Sequence, residues 1–287
     1  MHFPECYFDF KFTRITDLLV VGEWMPISVF INNDTKFTNQ TNALELENTR
    51  GWWFTVEEGD LDGDGDHDYV VGNLGKNYKY QATKSETFDL YVKDFDQNSS
   101  KDIVLSYFNE GTQYPVRGRQ CSSDQIPGLQ NKFKNYESFA TATLEDIYGK
   151  SQIENADHYE IQNFANIIML NQGNGKYDIR ELPNESQLSA ITDVCILDIN
   201  KDGNNDLITA ENLYMSEVET PRNDAGIGST LLGDGQGNFV FRGFKDTGLL
   251  LNNDIRKLSV VAAKDSKILL SASNNGPMSA FILNHSE

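Results

Sequence analysis

The chain has 287 residues, with 24 basic and 43 acidic side chains and a formal net charge of −19. That balance excludes a nucleic-acid binder, which needs a basic face, and suits a cation binder or a soluble exported protein. Hydrophobic residues at 39% and aromatics at 11% are enough for a sizeable core and exclude wholesale disorder, and no apolar run approaches the ~18 residues of a membrane-spanning helix.

The start, Met1–Cys6 (MHFPEC), has neither the charged region nor the apolar region of a secretory signal, so we expect either a cytoplasmic protein or a piece of something longer, and the repeat pattern of the chain favours the second. Cys6, Cys121 and Cys195 are too few for a disulfide framework. Cys195, inside the apolar run Val194–Leu197, reads as a small buried hydrophobe.

In chain order, Asp17–Gly22 (DLLVVG) reads as a strand that opens on an acid. Asp9 lies eight residues earlier, but Lys11 and Thr13 fill the places between, so this unit has lost its ligands. Trp24, Trp52 and Trp53 read as strand-edge aromatics that pack into the core. Phe30–Phe37 is a hairpin turn. Asp60–Asp68 (DLDGDGDHD) is a nine-residue acidic loop that runs into the strand Tyr69–Gly72. Asp94–Asp102 (DFDQNSSKD) runs likewise into Ile103–Ser106. Within 113–166, Leu129, Phe133, Tyr136, Ala140, Thr143, Leu144 and Ile147 follow helical spacing, with Gly149 as the C-terminal cap. Leu170–Tyr177 is another hairpin turn, and Asp198–Asp206 (DINKDGNND) is a third acidic loop before Leu207–Ala210. Leu232–Phe239 is a hairpin whose glycines serve a turn rather than a phosphate cradle. The turn Lys264–Ser266 precedes the strand Lys267–Ser271, and the turn Asn274–Pro277 precedes Met278–Leu283.

Strand, tight turn and strand thus recur in about five units, beginning near residues 9, 60, 94, 198 and 258. This periodicity predicts an all-β chain of antiparallel four-stranded blades, with 1–287 forming a single β-propeller domain or a propeller fragment. The stretch 113–166 is expected to be an insertion with a helix within the third blade.

The three acidic loops carry oxygen side chains at their first, third, fifth and ninth positions: Asp60, Asp62, Asp64 and Asp68; Asp94, Asp96, Asn98 and Asp102; Asp198, Asn200, Asp202 and Asp206. Alternate carboxylates on a tight loop converge on one centre, as a hard cation with six to eight oxygen ligands requires. The seventh residue, Asp66, Ser100 or Asn204, would add its carbonyl, and Gly65 and Gly203 at the sixth allow a sharp turn. The reading is up to three Ca²⁺ sites. Mg²⁺ prefers a rigid octahedron and keeps its waters. An EF-hand fails, because its twelfth position needs a bidentate Glu and here holds Val71, Leu105 or Thr209. Counting carboxylates and glycines ranks the loop at 60 as tightest, then the loop at 198, then that at 94, where Ser99 stands in a place that favours positive φ.

These loops resemble the FG-GAP, or VCBS-type, repeats of integrin-α-like calcium-binding β-propellers. Asp60–Gly72 follows that pattern at every defined position; Asp198–Ala210 departs at Asn200 and Ala210, and Asp94–Ser106 at Asn98, Ser99 and Ser106. Gly22-Glu23-Trp24-Met25-Pro26 and Gly72-Asn73-Leu74-Gly75 are similar to segments of large exported multi-repeat proteins of the Bacteroidetes type. The resemblance implies calcium binding, cell adhesion, an extracytoplasmic setting and a seven-bladed ring.

His2, His67, His158 and His285 show no zinc-site spacing, and no nucleophile elbow, Walker or dinucleotide motif occurs. Glu57, Glu58, Glu217 and Glu219 read as solvated. The expected function is therefore a non-enzymatic binding module for a protein or glycan ligand. The alternative is a polysaccharide lyase or hydrolase on a calcium-bearing propeller, which a convergent carboxylate or basic cluster would favour.

Overall fold

A computed structural model describes the backbone of residues 5–8 together with residues 16–173, 175–216, 220–264 and 266–283. Asp9, Lys11, Thr13, Glu217, Glu219, Asp265, His2 and His285 lie outside these described residues, as does the Cys6 side chain. Among the described residues the chain is all-β with a few short helices, its strands paired antiparallel in six sheets. It divides into two compact units, one of residues 1–79 and 164–287 and one of residues 80–163.

The larger unit holds four main sheets. The first contains Glu5–Phe8, Asp17–Val20, Ser28–Asn32 and Phe37–Asn39 in that order. The second runs Thr55–Gly59, Asp68–Gly72, Ile167–Asn171, Tyr177–Glu181, so its middle pair joins residues on either side of the 80–163 unit. The third runs Ile191–Leu197, Asp206–Glu211, Thr230–Gly233, Phe239–Arg242. The fourth has three strands, Ile255–Ala262, Lys267–Ser273 and Met278–Leu283. Glu23–Met25 and Gly51–Trp52 form a small separate pair. Each turn expected from Asn and Gly closes a hairpin: Asn32 opposite Phe37, Asn171 opposite Tyr177, Gly233 opposite Phe239 and Ala272 opposite Met278.

The apolar runs after the first and third acidic loops are explained by burial on both faces, whereas after the second the burial alternates and Ile103 is 48% exposed. Tyr69 and Val71 pack with Leu19 and Val29 of the first sheet, whereas Val70 between them packs with Ile191, Val194 and Leu207 of the third. Leu207 in turn faces the second sheet, and its neighbours Ile208 and Ala210 face Ile255, Leu258 and Leu269 of the fourth. Successive side chains point to opposite faces, so a strand sandwiched between sheets buries every side chain; the polar Thr209 is accommodated by hydrogen bonds with Glu211 and Ser229. Truncating one such buried apolar residue, Leu207→Ala, should cost about 2–5 kcal/mol. Trp53 is buried and donates from Nε1 to the Thr49 carbonyl, and Trp24 is buried against Trp52. Cys195 is half-buried rather than buried; it packs on the third and fourth sheets, and burial pushes its thiol up to about 11.

Behind the strands, side-chain amides lock the loops. Asn73, between Gly72 and Leu74, and Asn212, between Glu211 and Leu213, are fully buried. Asn73 Oδ1 accepts from the amides of Trp52 and Leu74, and Asn212 Oδ1 accepts from Gly226 N.

The 80–163 unit has its own sheet, ordered Thr112–Pro115, Asp102–Asn109, Phe88–Lys93, Asp157–Ile161. Five short helices lie between its third and last strands in sequence: Arg119–Gln125, Gly128–Lys132, Tyr136–Ala140, Leu144–Tyr148 and Lys150–Glu154. The uniform helical spacing expected over 129–147 is therefore broken. Asn135 caps a new start by accepting from Ser138 N, and Thr143 with Asp146 forms a capping box. Leu129, Phe133, Leu144 and Ile147 are buried as expected, but Tyr136 is 65% exposed and Phe139 takes the core place beside Ala140. Gly149 does end its helix, at φ 91°.

Candidate metal loops

All three acidic loops are hairpin connections. Gly59 pairs with Asp68, Lys93 with Asp102 and Leu197 with Asp206, so the ninth residue of each loop stands opposite the residue just before its first. The preceding strand gave no sign of itself in the repeat pattern.

Inside the loops one hydrogen-bond scheme is repeated. The first carboxylate accepts from the sixth amide: Asp60 from Gly65 N, Asp94 from Ser99 N and Asp198 from Gly203 N. The third side chain accepts from the fifth amide, through Asp62, Asp96 and Asn200. The fifth accepts from the seventh, through Asp64, Asn98 and Asp202. The ninth carboxylate accepts from the second amide: Asp68 from Leu61 N at 2.8 Å, Asp102 from Phe95 N at 2.9 Å and Asp206 from Ile199 N at 2.8 Å. Asx side chains thus wind each loop around its own acids. The sixth residue has positive φ in all three: Gly65 at 90°, Ser99 at 71° and Gly203 at 92°. So does the fourth, Gly63 at 79°, Gln97 at 62° and Lys201 at 62°, a requirement that the motif did not reveal.

The winding brings the first, third and ninth acids together. One oxygen from each of Asp60, Asp62 and Asp68 lies within 4.8 Å of the others, and the same holds for Asp94, Asp96 and Asp102. Asp64, Asp66, Asn98 and Ser100 are not in these triads. In the third loop Asn200 replaces one acid, and its Nδ2 donates to Asp202. There Asp198 Oδ1 is enclosed and accepts no hydrogen bond.

Burial, with repulsion from Asp64 behind it, raises the Asp62 carboxyl; burial likewise raises Asp68 to about 6, with Asp62 and Asp64 adding to it. Burial raises Asp102 and Asp206 as well. Asp202 is held low by hydrogen bonds from Asn204 and Asn200. His67 points outward, its side chain 55% exposed.

The ninth acid also has a structural task. Asp68 Oδ1 accepts from Asn171 N and Asp206 Oδ1 from Gly233 N, each on the next strand. Asp17, in the unit without ligands, is equally buried and accepts from Asn32 N at 2.7 Å in the same way. The loops at 60 and 198 are neighbours: Asn205 Nδ2 donates to the Asp60 carbonyl, and Gly237 N of the 232–239 hairpin donates to the Leu61 carbonyl. Gly235 of that hairpin lies so close to Asn204 that a Cβ would sit 2.4 Å from its Oδ1, which accounts for the glycines there without a phosphate.

Of the acids expected to be solvated, Glu57 is half-buried and paired with Lys257 at 3.3 Å, and Lys257 also reaches Asp193 at 2.7 Å. Burial raises the Glu57 carboxyl. Glu58 is half-buried too.

Residues 9–71 match the family described as FG-GAP-like repeat. No curated protein matches the chain. Among solved structures, the crystal structure of the V. cholerae biofilm matrix protein Bap1 aligns with 94% of this chain and 59% of that one, at 9% identity and a TM-score of 0.30. The chain thus spans about three fifths of the length of that structure.

Proposed function

We propose that this chain, an FG-GAP-like repeat protein over residues 9–71, is a calcium-stabilised, non-enzymatic binding module. The reading rests chiefly on one observation: three loops of different composition adopt one wound backbone, and two of them gather three carboxylates within 4.8 Å. Bare, such acids repel one another; a divalent cation among them removes that repulsion. The enclosed, unbonded Asp198 Oδ1 fits the same chemistry, since a buried carboxylate oxygen needs a positive partner. Asp60, Asp62 and Asp68, Asp94, Asp96 and Asp102, and Asp198, Asn200 and Asp206 would hold the ions, with side chains of Asp64, Asn98 and Asp202 and carbonyls of Asp66, Ser100 and Asn204 completing the shells. Calcium supplies charge neutralisation and rigidity here, not a reaction.

In this proposal the sheets are blades of a propeller across 1–287, with 113–166 inserted in the blade that carries the second loop. The setting is extracytoplasmic, where calcium levels suit sites of about 10⁻⁴–10⁻³ M affinity. The stiffened loops would present a surface to a protein or glycan ligand. Titration calorimetry with Ca²⁺ on chelator-stripped protein tests the metal reading. Binding that vanishes in the combined Asp62→Ala, Asp96→Ala and Asp198→Ala variant supports it, and no heat with the wild type overturns it.

A further inference from the structure

We propose that Asp89, His158 and Glu160 form a separate site for a first-row divalent transition-metal ion of the zinc type. The three come from neighbouring strands of the 80–163 unit. Glu160 stands directly opposite Asp89, and His158 opposite Tyr91, so alternation along the two strands puts all three on one face. One ligand atom from each lies within 4.8 Å of the others. Their donor set is one imidazole nitrogen and two carboxylates. An imidazole is a poor ligand for calcium and a good one for zinc and its neighbours, so this site differs in kind from the all-oxygen loops.

The supporting shell is already built. Asp89 is only 1% exposed, yet it is held in place from behind. Thr87 Oγ1 donates within 3.0 Å of both its oxygens, and Gln113 Nε2 donates to Oδ2 at 3.0 Å. Gln113 Nε2 also lies 2.9 Å from Ser106 Oγ and 3.3 Å from the Tyr91 hydroxyl. The Tyr91 ring stacks on the imidazole at 4.5 Å and 7°, which fixes the plane of the nitrogen lone pair. Gln162 Nε2 donates to Glu160 Oε1 at 2.8 Å. His158 Nε2 sits 2.7 Å from Asp89 Oδ1. An ion bound by both atoms would replace that direct contact. Oriented ligands with hydrogen-bonded partners behind them are the arrangement that metal sites use. His158 is exposed and Glu160 half-buried, which leaves a way in from water.

The test uses the full chain in Ca²⁺ at about a hundredfold excess over the loops' Kd, so that the acidic loops are saturated and a failure here is distinct from a failure of the calcium reading. Co²⁺ is titrated while its visible absorption is followed, and Zn²⁺ is then added as competitor. One Co²⁺ per chain, displaced by Zn²⁺, is expected. His158→Ala and Glu160→Gln should abolish the signal with an unchanged circular dichroism spectrum, and Gln113→Ala should weaken binding by about 10–100-fold. Asp62→Ala should leave it intact. No stoichiometric binding by the wild type, or binding indifferent to both His158→Ala and Glu160→Gln, overturns the proposal and leaves the trio as an ion pair tying two strands.

Discussion

The loops at 60–68 and 94–102 follow the same path by different means. In each, the first acid accepts from the sixth amide and the ninth from the second. The first loop places glycine at both left-handed positions, Gly63 and Gly65; the second places Gln97 and Ser99 there. The path is therefore dictated by the Asx side chains and the closing acid, while glycine only lowers its cost, by about 1 kcal/mol per position. The loops also differ in anchorage. Asp68 is bonded to its own loop and to Asn171 on the next strand, whereas Asp102 holds Phe95 N.

The largest expected effect follows from that anchorage. Asp68→Ala strips the Leu61 and Asn171 amides of their acceptor in a fully buried place, at about 1–3 kcal/mol each. Asp102→Ala should cost about half as much by urea unfolding in saturating calcium. Asp17→Ala, at the head of a strand in the unit without metal ligands, isolates the structural share of this role, and a loss near zero there would break the comparison.

Calcium removal comes next. At a hundredfold excess over Kd each ion adds about 2.7 kcal/mol, so chelation should lower Tm by several degrees, with Ca²⁺ but not Mg²⁺ restoring it. An unchanged melting curve would refute a structural role for calcium.

A smaller difference separates the two sites. Four carboxylates against three favour the first loop, so Asp62→Ala should cost more calcium-dependent stability than Asp96→Ala, with the loop at 198 between them. Calorimetry of single-site knockouts that put the loop at 94 first would show carboxylate count to be the wrong guide.

Smallest is the backbone effect. A Cβ on Gly65 meets nothing within 4 Å, so Gly65→Ala isolates left-handed strain and should cost about 1 kcal/mol. Ser99→Gly should gain about 0.5 kcal/mol, the strain relieved less the entropy of a freer unfolded chain. Equal responses at Gly65 and Ser99 would mean that the loops do not share a backbone in solution.

The acidic loops, the hairpin turns and the all-β class were legible in the sequence because each is decided within about ten residues. An Asp or Asn side chain bonds to an amide a few residues on, and Asn and Gly supply the left-handed turn. The helical stretch was legible only in part: its spacing showed through, but the caps at Asn135 and Thr143 divided it and turned Tyr136 outward. Tertiary structure alone decided that Ile167–Asn171 pairs with Asp68–Gly72 across an entire intervening unit, that Glu57 meets Lys257, and that His158 and Glu160 lie against Asp89. Those contacts join residues far apart in the chain. Local patterns carry no record of such partners, because the choice among strands of similar apolar character is made by which faces bury one another when the sheets pack.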